Sequence, residues 1–289
     1  MSDLHDEVLR WYAAAARDLP WRRADATPWG VYVSEIMLQQ TPVSRVEPVW
    51  HDWMHRWPTP ADLAAESPGE AVRAWDRLGY PRRALRLHAA AVAITEQHNG
   101  VVPESFDQLL VLPGVGTYTA AAVSAFAFGI RVPVVDTNIR RVHARLVGGV
   151  AQAAASLTAA ERDLAAELLP EDPSEAATWN VAVMELGALV CTARAPRCGA
   201  CPVADRCAWQ LAGAPAYDGP ARRGQKWAGT DRQVRGRLLR TIREADGPVE
   251  RPALDVVWHD QTQRERALSS LVEDGLVEPL PGDRFALPR

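Results

Sequence analysis

Leu112-Pro113-Gly114-Val115-Gly116-Thr117-Tyr118-Thr119-Ala120 joins two stretches with helical patterning, Glu104 to Leu112 and Thr117 to Phe128. Two glycines two apart let the backbone turn sharply, with positive φ open to each. The amides that follow then point outward at the N-terminus of the next helix. That makes an anion site which needs no side-chain charge. A bare Gly-x-Gly also serves as an ordinary connection between helices, so the turn alone leaves both readings open.

Downstream, Val132-Pro133-Val134-Val135-Asp136-Thr137-Asn138-Ile139-Arg140-Arg141-Val142 places one carboxylate after an apolar run. A carboxylate there is expected to be partly buried and to need partners. Asp136 can cap a helix starting near Thr137, a role compatible with chemistry. Upstream, Glu35 lies in Trp29-Gly30-Val31-Tyr32-Val33-Ser34-Glu35-Ile36-Met37-Leu38-Gln39-Gln40-Thr41, with apolar residues on both sides. An apolar setting raises a carboxyl pKa and keeps it protonated near neutral pH, as a general acid requires. Periodicity alone equally allows a solvated position on an amphipathic helix.

Further out, all four cysteines fall within Cys191–Cys207, spaced C-x6-C-x2-C-x5-C at Cys191, Cys198, Cys201 and Cys207. Four thiols so close fit one metal centre better than two disulfides. Zinc and a [4Fe–4S] cluster both take four thiolates, and ligand count does not separate them.

The remaining chain frames these segments. From Leu4 to Gln210 it reads as roughly ten helices broken by Pro and Gly, with Val46, Trp50, Trp53, Met54 and Trp57 on one apolar helical face. Pro68 to Trp75 and Arg82 to Gln97 read as further helices. After Trp209 the composition shifts. Residues 213–229 read as a linker, and residues 230–289 as two amphipathic helices followed by strands near 276–280 and 284–287, a winged-helix-like plan. Net charge is −4, so nucleic acid would be gripped by local patches and backbone amides, without a global basic field. Of 32 basic residues, only Lys226 is lysine. No apolar run approaches a membrane span, and the acidic N-terminus lacks a signal-peptide plan. A monomer in a reducing cytoplasm, associated with the nucleoid and with no membrane partner, is expected.

Taken together, these strings resemble a known family. Leu112 to Ala120 and the cysteine spacing are similar to the helix-hairpin-helix and iron–sulfur loop of the endonuclease III-like DNA glycosylases. Ser34-Glu35-Ile36-Met37-Leu38-Gln39-Gln40-Thr41 closely resembles the adenine DNA glycosylase (MutY) branch, and the match runs over about residues 8 to 210. The resemblance implies a mainly α fold. A six-helix barrel would span 25–139, an iron–sulfur domain 1–24 and 140–212, and the winged-helix-like module 230–289. It implies a [4Fe–4S] cluster on the four cysteines, and a phosphate grip at Gly114, Val115, Gly116 and Thr117 that Arg194 and Arg197 would assist. Gln40 and Thr41 would sit at the estranged 8-oxoguanine, Leu78 and Tyr80 would wedge into the base stack, and Trp21 and Arg22 would line the adenine pocket. Glu35 would protonate adenine N7, and Asp136 would stabilise the oxocarbenium-like sugar, supported by Tyr118 and Asn138.

The expected reaction is hydrolysis of the N-glycosidic bond of adenine mispaired with 8-oxoguanine or guanine in double-stranded DNA. The lyase branch carries a Schiff-base lysine at the position of Tyr118, so a monofunctional enzyme is expected. Two features depart from the family. Val181 stands where a hydrogen-bonding residue is usual, and the 60-residue tail is too short for the Nudix-like domain. Lesion recognition is therefore expected to rest on the catalytic body, with the tail adding nonspecific contacts. The alternatives are a T:G mismatch or oxidised-pyrimidine glycosylase on the same scaffold, and a non-enzymatic DNA-binding regulator with a zinc loop and winged helix.

Overall fold

The computed structural model describes residues 2–219 and 227–289. Lys226 and the Arg222-Arg223-Gly224 stretch of the expected linker lie outside the described residues. Among the described residues, twelve α-helices come before residue 220: α1 (Ser2–Ala15), α2 (Pro28–Leu38), α3 (Val43–Arg56), α4 (Pro60–Ala64), α5 (Pro68–Ala74), α6 (Arg82–Gln97), α7 (Phe106–Leu110), α8 (Thr117–Phe128), α9 (Thr137–Leu146), α10 (Ala159–Glu167), α11 (Pro173–Leu189) and α12 (Ala208–Leu211). From residue 227 onward come α13 (Asp231–Glu244), β1 (Val249–Glu250), α14 (Arg251–Asp255), α15 (Gln261–Glu273), β2 (Glu278–Leu280) and β3 (Arg284–Ala286).

Local chemistry sets the boundaries. Thr59 and Asp62 form a capping box at α4, as Thr158 and Glu161 do at α10. Asp172 accepts from the Ser174 and Glu175 amides ahead of α11, with Pro173 at its first position. Gly129 ends α8 in the left-handed conformation, φ 66°. Among the described residues no helix is long and apolar enough to cross a membrane.

Two compact units emerge. The first comprises Met1–Glu35, Glu104–Val111 and Val115–Pro220; the second, Ile36–Pro103, Leu112–Gly114 and Ala221–Arg289. In the first, α11 is the central pillar against α1, α8 and α9. Trp179, Val183 and Leu186 pack there with Ile139 and Val142, Ala121 and Ala125, and Val8. In the second, α4 and α5 pack on α6, and Trp53 meets Trp57 and Trp75 edge to face at 4.8 and 5.6 Å. Trp50, Trp53 and Trp57 are buried, as their helical face implied.

The C-terminal segment has the element order of a winged helix: helix, strand, two helices, then two strands. Its three-stranded antiparallel sheet runs β1-β3-β2, with Phe285 opposite both Val249 and Pro279. Two components escape the sequence reading. β1 has only two residues and α14 only five, too short for a periodic signal. The compact units also divide the chain at other places than the expected boundaries. The tail groups with residues 36–103, where the Gly69 amide donates to the Pro288 carbonyl at 2.8 Å.

Candidate active site and metal centre

Glu35 lies in α2, which starts after Thr27, whose hydroxyl accepts from the Gly30 amide at 3.1 Å. Nearly every neighbour along the helix is apolar and buried: Trp29, Val31, Tyr32, Val33, Ile36 and Met37. Glu35 itself is 5% exposed. Tyr118, in the first turn of α8, donates its hydroxyl to Glu35 Oε2 at 2.9 Å. Burial pushes the Glu35 pKa from 4.5 up to about 7. The Tyr118 bond and the Arg22 charge pull it down, while Asp136 pushes it up. Burial also drives Tyr118 well above its ordinary range, with Glu35 and Asp136 adding to the effect, so it stays a neutral donor.

Asp136 caps α9. Its Oδ1 accepts from the Ile139 amide at 2.7 Å and its Oδ2 from Asn138 Nδ2 at 2.8 Å. Burial raises its pKa against these hydrogen bonds. The segment leading to it is held by Asn180 of α11, which accepts from the Val134 amide at 3.1 Å and donates to the Val132 carbonyl at 2.9 Å. Arg141 then donates to Asn138 Oδ1 (2.8 Å), Gly187 O (2.7 Å) and Cys191 O (2.7 Å). A Cβ on Gly187 would lie 2.7 Å from Asn138 Cβ and 3.0 Å from its carbonyl, so only glycine lets α11 come this close to the start of α9. Capping and delivery of a carboxylate thus coincide at Asp136.

Arg22 is tied back by Glu185, which is fully buried in α11. Arg22 donates to Glu185 Oε2 at 3.0 Å, and Arg17 grips both oxygens at 2.7 Å. Burial opposes ionisation of Glu185, but the Arg17 hydrogen bonds and the two guanidinium charges win and lower its pKa. Trp21, beside Arg22, is buried. Glu185, Arg17, Arg141 and Asn180 carry no role in the sequence reading. A glutamate inside the apolar run of α11 is the one signal that could have marked them, because a buried charge demands cationic partners.

The expected DNA-contacting residues divide by exposure. Gly114, Gly116 and Thr117 are exposed, and Val115 is half-buried. Gly114 has φ +79°, and a Cβ there would meet Arg86 Cβ at 2.7 Å. Gly116 instead takes extended geometry, φ −108° and ψ 177°, because it is the N-cap of α8. Positive φ is thus needed at one glycine of the pair, not both. Tyr80 is 49% exposed at φ 47°, whereas Leu78 is 4% exposed and packed in the core. Gln40 sits at φ 56°. The Thr41 hydroxyl is already committed, donating to the Leu78 carbonyl at 3.0 Å and accepting from Arg83 at 2.9 Å. Buried Arg83 also donates to the carbonyls of Ile36, Met37, Gln39 and Gly79 at 2.6–3.0 Å, locking both turns. Burial lowers its pKa to about 10, which leaves it charged at neutral pH. Arg197 of the cysteine loop donates to the Leu189 carbonyl, so its guanidinium helps shape that loop.

The four cysteines form no disulfide with one another and ring one cavity, lined also by Arg145, Val190, Trp209 and Gln210. Arg145 Nη1 lies 3.3 Å from Cys191 Sγ, Gln210 Nε2 lies 3.1 Å from Cys198 Sγ, and the Arg145 guanidinium stacks 4.8 Å from the Trp209 ring. Among the described residues no three His, Cys, Asp or Glu side chains converge on a single-ion site. Four sulfurs around a cavity, with N–H donors aimed at two of them, fit a thiolate-ligated cluster.

Residues 33–167 match the family described as HhH-GPD superfamily base excision DNA repair protein, and residues 191–207 match the iron-sulfur binding domain of endonuclease III. An adenine DNA glycosylase of Mycolicibacterium smegmatis is 57% identical over 282 residues, covering 97% of this chain and 94% of that protein. Coverage this complete takes in the C-terminal module. Among solved structures, a thermostable thymine-DNA glycosylase matches with TM-score 0.65 and 27% identity over 73% of this chain and 96% of that one. A non-covalent endonuclease III–DNA complex has the same fold, with TM-score 0.62 and 24% identity over 73% of this chain and 95% of its own.

Two outcomes follow from this geometry. The Glu35 pKa is higher folded than unfolded, so the folded state holds a proton that the unfolded chain releases between about pH 4.5 and 7, and stability falls across that window. Glu35→Gln removes the ionisation and is expected to stabilise the protein by about 2–3 kcal/mol at pH 8.5 relative to its effect at pH 4.5. Urea unfolding at both pH values measures this; an equal effect at both would contradict it. The purified protein is also expected to be brown with thiolate-to-iron absorption, and Cys198→Ser to lose the colour together with thermal stability. A colourless wild type containing stoichiometric zinc would refute the cluster assignment.

Proposed function

Because the chain belongs to the adenine DNA glycosylase family of the helix-hairpin-helix base excision repair proteins, we propose that it removes adenine mispaired with 8-oxoguanine or guanine in double-stranded DNA. It is a monofunctional glycosylase, hydrolysing the N-glycosidic bond. The observation that carries the catalytic assignment is the burial of Glu35 among apolar side chains, which keeps its carboxyl protonated at a pH where an exposed one is ionised, with the Tyr118 hydroxyl as its hydrogen-bond donor.

The target adenine leaves the stack, since its reacting atoms are unreachable inside the duplex. Glu35 donates its proton to adenine N7 and makes the base a better leaving group. Asp136, held by Ile139 and Asn138, would stabilise as its carboxylate the positive charge that develops on the sugar. Water adds to the sugar and leaves an abasic site. Tyr118 carries no amine and cannot form a Schiff base, which agrees with simple hydrolysis. The [4Fe–4S] cluster held by Cys191, Cys198, Cys201 and Cys207 supplies structural order to the loop that anchors Arg141 and Arg145. The outward amides of Gly114 to Thr117 would take a DNA phosphate. The enzyme would act as a monomer in a reducing compartment.

The test is single-turnover cleavage of duplexes carrying A:8-oxoG, A:G, T:G or an oxidised pyrimidine, with wild type and Glu35→Gln. Excision of adenine, loss of at least about a hundredfold in Glu35→Gln, and abasic products that break only after alkali are expected. The rate should fall as pH rises above about 7, when Glu35 loses its proton. Activity on T:G alone, or activity indifferent to Glu35, would overturn the reading.

A further inference from the structure

The expectation that the tail adds only nonspecific contacts does not account for how the C-terminal module meets the rest of its unit. The segment Asp76-Arg77-Leu78-Gly79-Tyr80-Pro81-Arg82 joins α5 to α6 and contains three residues at positive φ: Asp76 (44°), Gly79 (80°) and Tyr80 (47°). For non-glycine residues that conformation is costly and persists only where surroundings hold it. The module holds both ends. At the first, Arg243 of α13 donates to the Asp76 carbonyl and lies 3.5 Å from its carboxylate. At the second, Asp274, just past α15, pairs with Arg82 at 3.1 Å and with Arg235 of α13 at 2.5 Å.

Two further contacts seat the module beside this segment. Arg73 of α5 donates to the carbonyls of Arg243 and Ala245, closing the C-terminus of α13. The Gly69 amide donates to the Pro288 carbonyl, and a Cβ on Gly69 would lie 2.4 Å from that oxygen and 2.9 Å from Leu287 Cβ. Gly69 is in the first turn of α5, where alanine suits the helix better; the docked chain end is what demands glycine.

We infer that the C-terminal module is a brace that positions the Asp76–Arg82 turn, and with it Tyr80, for insertion into DNA, so that Arg243, Asp274 and Gly69 are specificity-determining positioning residues. This rests on the proposed recognition of mispaired adenine. The module's own surface argues against a separate base-reading role for α15. That helix has two arginines, and both have internal partners: Arg264 pairs with Asp255 at 2.9 Å and Arg266 with Asp231 at 2.7 Å.

Full-length wild type, Gly69→Ala, Arg243→Met and Arg266→Ala test this by two readouts below their melting temperatures. Hydrogen–deuterium exchange of residues 76–82 should quicken in Gly69→Ala and Arg243→Met and stay at the wild-type rate in Arg266→Ala. The ratio of single-turnover rates on A:8-oxoG and A:G should fall by about tenfold in the first two variants and hold in the third. Should Gly69→Ala fail to fold, Arg243→Met carries the same comparison. Unchanged exchange, or an unchanged ratio with only a lower melting temperature, would overturn the brace. So would an Arg266→Ala effect as large as that of Arg243→Met, which would mean that the module contacts DNA itself. Wild type that spares adenine would refute the substrate reading itself, a result seen before any variant is compared.

Discussion

The catalytic arrangement depends on one constraint: Glu35 is buried in apolar surroundings with a neutral phenol as its partner. A carboxyl so placed resists ionisation because its anion would lose water and gain only one hydrogen bond. The Arg22 charge works against this by favouring the anion. Arg22 is itself paired with Glu185, which together with Arg17 forms a buried network that is ionised at neutral pH. The same unit thus keeps one carboxyl protonated and another ionised, and the difference comes from the number of guanidinium donors each one meets.

The geometry behind that constraint is carried by helix termini. Tyr118 reaches Glu35 because α8 starts at Thr117, directly after its N-cap Gly116, which lies two residues past the positive-φ turn at Gly114. Asp136 is fixed because it caps α9, and α9 is located by Gly187 and Asn180 on α11. Arg141 extends the chain of contacts from Asn138 to the Cys191 carbonyl, and Arg145 from the same helix reaches Cys191 Sγ and the Thr192 carbonyl. Through these two arginines the cysteine loop braces the helix that Asp136 caps. Their interior positions also suit Arg better than Lys, since each guanidinium serves several carbonyls in fixed directions.

Much of this was legible in the chain. Local signals located α6, α8, the start of α9 and both strands of the C-terminal hairpin, because capping, glycine and periodicity act over a few residues. The string around Glu35 marked it, and the structure accounts for it through burial. What sequence did not disclose depends on residues far apart. Glu185 meets Arg17 and Arg22 across more than 160 positions, and Arg83 ties the nearby turn at Gly79 to the carbonyl of Gln39, 44 positions away. The two residues expected to wedge into the base stack show the limit in another way. Leu78 and Tyr80 are two residues apart, yet one is core and the other exposed, because the left-handed turn between them breaks any periodic pattern.

The most direct test of the central claim is a titration of Glu35 itself, by carboxyl 13C chemical shift in selectively labelled wild-type protein, with Glu35→Gln identifying the resonance. The account predicts a midpoint near pH 7, moved when Tyr118→Phe removes the only hydrogen bond the carboxylate receives from that ring. A midpoint near 4.5, the value of an exposed glutamate, would contradict it, because Glu35 would then be ionised at neutral pH with no proton to give.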